Sequence, residues 1–61
     1  MAISLTINGK PREIPAELDL PALLQELGVD RRLVAVALNG DVLKRNAYDG
    51  VCVKDGDVVE I

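Results

Sequence analysis

The sequence predicts an α+β fold, a mixed sheet of four to five strands with one main helix packed on one face. Three observations carry that expectation. Ile3, Leu5 and Ile7 alternate with Ser4 and Thr6, the period of a half-buried strand. Leu20, Leu23, Leu24 and Leu27 fall on one helical stripe between Asp19 and Gly28. The last residues, Lys54-Asp55-Gly56-Asp57-Val58-Val59-Glu60-Ile61, read as a tight turn feeding a short apolar strand.

After the first strand, Asn8-Gly9 is the preferred pair for a two-residue hairpin, because both positions tolerate positive φ. Residues 10–14 then return as a strand. Pro11 and Pro15 cannot donate to a ladder, which assigns that strand to a sheet edge. A helix is predicted over residues 20–27. Asp19 supplies the N-cap, and Pro21 sits in the first turn, where its missing N–H costs little. Leu18 is placed to staple onto Leu23, and Gly28 to end the helix in a left-handed cap. Each fully buried Leu of the stripe contributes about 1.5–3 kcal/mol, so Leu24→Ala is expected among the worst core changes.

Residues 33–38 read as a further apolar strand that Asn39-Gly40 terminates. Val34, Val36 and Leu38 share one face, and the small Ala35 and Ala37 the other. Residues 41–49 are polar and mixed, with a short strand at Val42-Leu43 and a turn. Residues 51–53 approach the last turn, and residues 58–61 complete the sheet. The simplest closure puts that final strand parallel to the first, in the sheet centre, since the helix gives the long crossover parallel pairing needs. This arrangement is the β-grasp, or ubiquitin-like, fold, expected as a single domain over residues 1–61.

Composition narrows function. Sixty-one residues hide only about 60% of the surface their unfolded chain exposes. Nine Leu, eight Val and four Ile, with no Phe or Trp, fill one thin layer but not a deep aromatic-walled pocket. A net charge of −3 and scattered Lys and Arg argue against nucleic acid and suggest a basic partner surface. A lone cysteine excludes an internal disulfide, and no apolar run approaches a membrane span, so a cytoplasmic location is expected.

Side-chain chemistry is sparse. Without histidine, no Ser-His or Cys-His nucleophile and no histidine metal site can form. No glycine-rich phosphate loop is present, so no bound cofactor is expected. Asp55 and Asp57 flank Gly56 either as an Asx-type turn or, less simply, as part of a cation site, which needs more than two carboxylates. Cys52 is either a small hydrophobe in an apolar strand or a persulfide carrier. Tyr48, beside Lys44 and Arg45, is a candidate partner anchor; the alternative is a cap on a small core with its hydroxyl in water. The remaining candidate is the open sheet face. Ala35, Ala37 and Val58 would line it, with Ser4 and Thr6 beyond and Glu60 and Lys54 at its rim.

Val34-Ala35-Val36-Ala37-Leu38-Asn39-Gly40, Arg45, Tyr48 and Lys54-Asp55-Gly56-Asp57-Val58-Val59-Glu60-Ile61, with Ile7-Asn8-Gly9 and Arg12-Glu13-Ile14, resemble the ThiS sulfur carriers of thiamine biosynthesis. The resemblance covers nearly the whole chain through the order and spacing of short motifs. It implies a protein co-substrate rather than an enzyme. In that family a flexible Gly-Gly end is adenylated by a ThiF-like partner that uses ATP, converted to a thiocarboxylate, and presented to thiazole synthase. Only residues without side chains fit such a channel. No Gly-Gly follows Ile61 here, so these residues alone are expected not to be adenylated, and no catalytic residue is assigned among them. The alternatives are a ubiquitin-like interaction module without carboxyl-terminal chemistry, or a related carrier for molybdopterin or tRNA thiolation.

Overall fold

The computed structural model describes residues 2–61. Strand β1 (Ile3–Ile7) and strand β2 (Lys10–Ile14) form an antiparallel hairpin with Ile7 opposite Lys10. Asn8 and Gly9 take φ of 52° and 80°, the left-handed pair that a two-residue turn requires. The short strand β3 (Leu18–Asp19) leads directly into helix α1 (Leu20–Glu26). The Asp19 carboxylate accepts the Ala22 N–H at 2.9 Å, and Pro21 sits in the first turn. Gly28 follows with φ of 74°, its N–H donating to the Gln25 carbonyl.

Strand β4 (Val36–Leu38) turns through Asn39-Gly40 into strand β5 (Asp41–Leu43). A 3₁₀ helix (Arg45–Gly50), strand β6 (Cys52–Val53) and strand β7 (Val58–Glu60) complete the chain. The five-stranded sheet has the order β2-β1-β7-β4-β5. Strand β7 lies in its centre, parallel to β1 and antiparallel to β4, and the Pro-bearing β2 is an edge, as the sequence predicts. Ile3, Leu5, Ile7, Ile14, Val36 and Val59 from the sheet meet Leu20, Leu23 and Leu24 from the helix in one core.

Three expectations need correction. The strand predicted from residue 33 begins only at Val36. The Asp30 carboxylate takes the Arg32 N–H at 2.9 Å, and the Asp30 carbonyl takes the Leu33 N–H at 3.0 Å. That turn consumes the first residues of the apolar run and leaves Leu33 80% exposed. Secondly, residues 51–53 do more than approach a turn: β6 pairs with β3 in a separate two-stranded sheet, Leu18 opposite Val53. Val53 enters the core, so strand alternation turns Cys52 outward, and it is an exposed thiol rather than a packed hydrophobe. Thirdly, Tyr48 is fully buried instead of sitting at the core's wet end. The 3₁₀ helix that carries it packs on α1 and β3, and the Arg31 guanidinium closes over its ring at 5.4 Å.

Candidate functional site

The carboxyl-terminal segment is fixed before β7 starts. Lys54 N–H donates to the Asp57 carboxylate at 2.8 Å, and Asp57 N–H returns to the Lys54 carbonyl at 3.0 Å. The Asp55 carboxylate accepts the Ser4 N–H at 2.8 Å, while Gly56 N–H donates to the Ser4 carbonyl. Both acidic side chains are therefore occupied as turn ligands of main-chain N–H groups, docking the turn onto β1. No cluster of three or more metal-binding side chains occurs among the described residues.

From this turn the backbone enters the sheet between β1 and β4. Thr6 pairs with Val58 and Ile7 with Val59, so the buried Val59 sits beside Ile7, two residues along β1 from Leu5. On the other side Ala37 pairs with Glu60 and Leu38 with Val59. Ile61, half-buried against the core, donates its N–H to Asn8 Oδ1 at 2.8 Å. Backbone continuing from there leaves at the Asn8-Gly9 end of the sheet.

Registration then decides which candidate residues share a surface, because directly paired residues point to the same face. One row runs Pro11, Thr6, Val58; the next runs Glu60, Ala37, Val42. This face is opposite the helix and, among the described residues, has no covering layer. Val58 is 41% exposed, Ala37 half-buried and Glu60 exposed. Val42, 78% exposed, was absent from the sequence-derived set. It was legible: the two-residue Asn39-Gly40 turn fixes Ala37 opposite Val42.

The other predicted contacts do not join this face. Ala35 precedes β4 and is exposed outside the ladder. Arg45 begins the 3₁₀ helix on the α1 side, where its carbonyl accepts from the Arg31 guanidinium at 3.3 Å. Tyr48 is a core residue with no surface to offer a partner. Away from the site, the Arg32 guanidinium grips the Asp30 carboxylate at 2.9 Å. That side-chain bond, joined by the Arg32 backbone N–H, lowers the Asp30 carboxyl to about 2, and the same contact raises Arg32.

The ThiS family model matches residues 5–61. The chain belongs to the ThiS family. The crystal structure of the thiamine biosynthesis protein (ThiS) from Geobacter metallireducens superposes with a TM-score of 0.88 at 46% identity, covering 95% of this chain and 88% of that one. The NMR solution structure of a thiamine biosynthesis protein from the same organism gives 0.84 at 45% identity, over 97% and 80%. A thiazole synthase of Paramagnetospirillum magneticum is 46% identical over 59 residues. Those residues are 97% of this ThiS-family chain but only 18% of that relative's length. No helix among the described residues is long and apolar enough to cross a membrane.

Proposed function

We propose that this protein is a sulfur carrier in the making of the thiazole moiety of thiamine, a protein co-substrate rather than an enzyme. The observation that carries the proposal is the central position of β7 within a ThiS-family sheet. A backbone held on both sides leaves the sheet in one direction, which suits an end that must reach another protein's active site. An adenylating partner would use ATP to convert the terminal carboxylate to an acyl adenylate, releasing pyrophosphate. A sulfur nucleophile then displaces the adenylate, leaving a thiocarboxylate. No group of this domain is needed for either step beyond presentation of the end.

The open face of Thr6, Ala37, Val42 and Val58 is the docking surface in this proposal. Its side chains are short and, apart from the Thr6 hydroxyl, apolar, with Glu60 beside Ala37, so a flat partner surface can approach without displacing the core. The acidic net charge of −3 fits a basic partner. Thiazole synthase as the acceptor is supported by the relative of that name, one chain of which contains a segment matching nearly all of this one. The test is intact-mass analysis of the full-length protein after incubation with its cognate adenylating enzyme, ATP and a sulfur donor. The expected product has one carboxyl oxygen replaced by sulfur; an unchanged mass with an active adenylating enzyme rejects the carrier function.

A further inference from the structure

We propose that Asn8 is the positioning residue that aims the departing carboxyl-terminal backbone, its side chain standing in for a main-chain carbonyl that the fold has turned away. The proposal rests on the carrier function above. With Ile7 opposite Val59, the next register position sets Asn8 opposite Glu60. A continued parallel ladder there consists of two bonds. Asn8 N–H donates to the Val59 carbonyl, and Ile61 N–H donates to the Asn8 carbonyl. The first bond is present at 2.9 Å. The second is replaced, because Asn8 has already entered the hairpin turn with φ of 52°. Ile61 N–H is taken instead by Asn8 Oδ1 at 2.8 Å.

The same substitution occurs at the opposite end of β7. Asn39, with φ of 51°, donates its N–H to the Val58 carbonyl at 2.7 Å and accepts the Val58 N–H on its own Oδ1 at 2.9 Å. Its Nδ2 also reaches the Asp57 carboxylate at 3.1 Å. Both Asn-Gly turns therefore lend a side-chain acceptor to the central strand. Glycine could adopt either turn conformation but has no acceptor, so the turn alone does not account for asparagine.

The two ends differ in what depends on them. The start of β7 is anchored further by the Lys54–Asp57 turn and by Thr6 N–H on the Asp57 carbonyl. At the exit Glu60 is still paired with Ala37, whereas the Ile61 N–H is held by the Asn8 side chain, and any backbone beyond pivots there. Holding that pivot in the sheet direction means less chain to order when a partner's active site receives the end. Loss of the acceptor should therefore weaken productive binding and leave the chemical step alone.

The test compares full-length wild type with Asn8→Gly, Asn8→Asp and Asn39→Gly. Asn8→Gly keeps the left-handed turn and removes the acceptor; Asn8→Asp keeps both. Amide hydrogen exchange is read at Ile61 relative to core amides such as Val59. In parallel, KM and kcat are measured for adenylation by the cognate enzyme. For Asn8→Gly we expect Ile61 exchange to quicken by roughly 3- to 10-fold relative to the core, the range set by one net hydrogen bond. KM should rise by a similar factor with kcat unchanged. Asn8→Asp should restore both, and Asn39→Gly should leave relative Ile61 exchange as in wild type. Unchanged relative exchange in Asn8→Gly, failure of Asn8→Asp to restore it, or faster exchange with an unaltered KM would each overturn the assignment. If wild type is not adenylated at all, the carrier function fails, and the exchange measurement still decides whether Asn8 holds the exit.

Discussion

The two faces of the five-stranded sheet are cut from the same strands and carry opposite chemistry. Leu5, Ile7, Val36 and Val59 point to the helix and vanish into the core. Their alternates Thr6, Ala37 and Val58 stay at the surface, joined by Val42. Strand alternation thus assigns core packing and surface exposure to adjacent residues, so stability and the proposed docking role are separable by mutation. In so small a domain that separation matters. With stability of about 0.05–0.15 kcal/mol per residue, one core deletion is comparable to the whole.

The largest expected effects are on the helix side. Tyr48→Ala should destabilise by about 3–5 kcal/mol and Leu24→Ala by about 2–5 kcal/mol, measured by urea unfolding followed by circular dichroism. Near-wild-type stability of Tyr48→Ala together with weakened partner binding would return Tyr48 to the list of anchors and break the contrast. On the open face, Ala37→Lys sets a positive charge beside Glu60 and against a basic partner, and should shift unfolding by no more than about 0.5 kcal/mol. Its affinity for the adenylating enzyme should fall at least about tenfold, or about 1.4 kcal/mol. Val42→Lys should behave alike, since it stands directly opposite Ala37. Titration calorimetry showing wild-type affinity for both would remove this face as the docking surface.

The smallest effect belongs to neither face. Asp30 has its carboxyl lowered from 3.8 to about 2 by Arg32, so its contribution to stability is present above the higher value. It is lost as pH falls through about 2. Asp30→Asn should therefore lower the thermal midpoint slightly at neutral pH, with the difference from wild type shrinking between about pH 4 and pH 2. A difference independent of pH would show that the Asp30 turn acts through shape alone, not charge.

What the sequence disclosed and what it hid follow from the range of the interactions. The Ile3-Leu5-Ile7 alternation, the Asp19 cap, the Gly28 stop and the Asn-Gly turns are local signals, and each appears where it was expected. The central place of β7 followed from connectivity, because a helix-length crossover permits parallel pairing. The burial of Tyr48 was hidden, since it depends on a 3₁₀ helix folding back on α1 and on Arg31 bridging to Asp49 at 3.1 Å. The β3–β6 pairing was hidden too: Leu18-Asp19 already reads as a helix start, and two residues hold no period of their own. On the functional side, the open face was legible in Ala37 and Val58, whereas Ala35 was misplaced because the Asp30 turn shortens its strand.

The Ile61 amide bonds to a side chain 53 positions earlier in the chain. During synthesis, then, the N-terminal hairpin and helix must wait with their central neighbour missing, since the residues that fill the gap are translated long after them. Such non-local closure slows folding. It also means that the domain can first become native only once β7 is available, so a product cut short before it lacks the middle of its sheet rather than a dispensable edge.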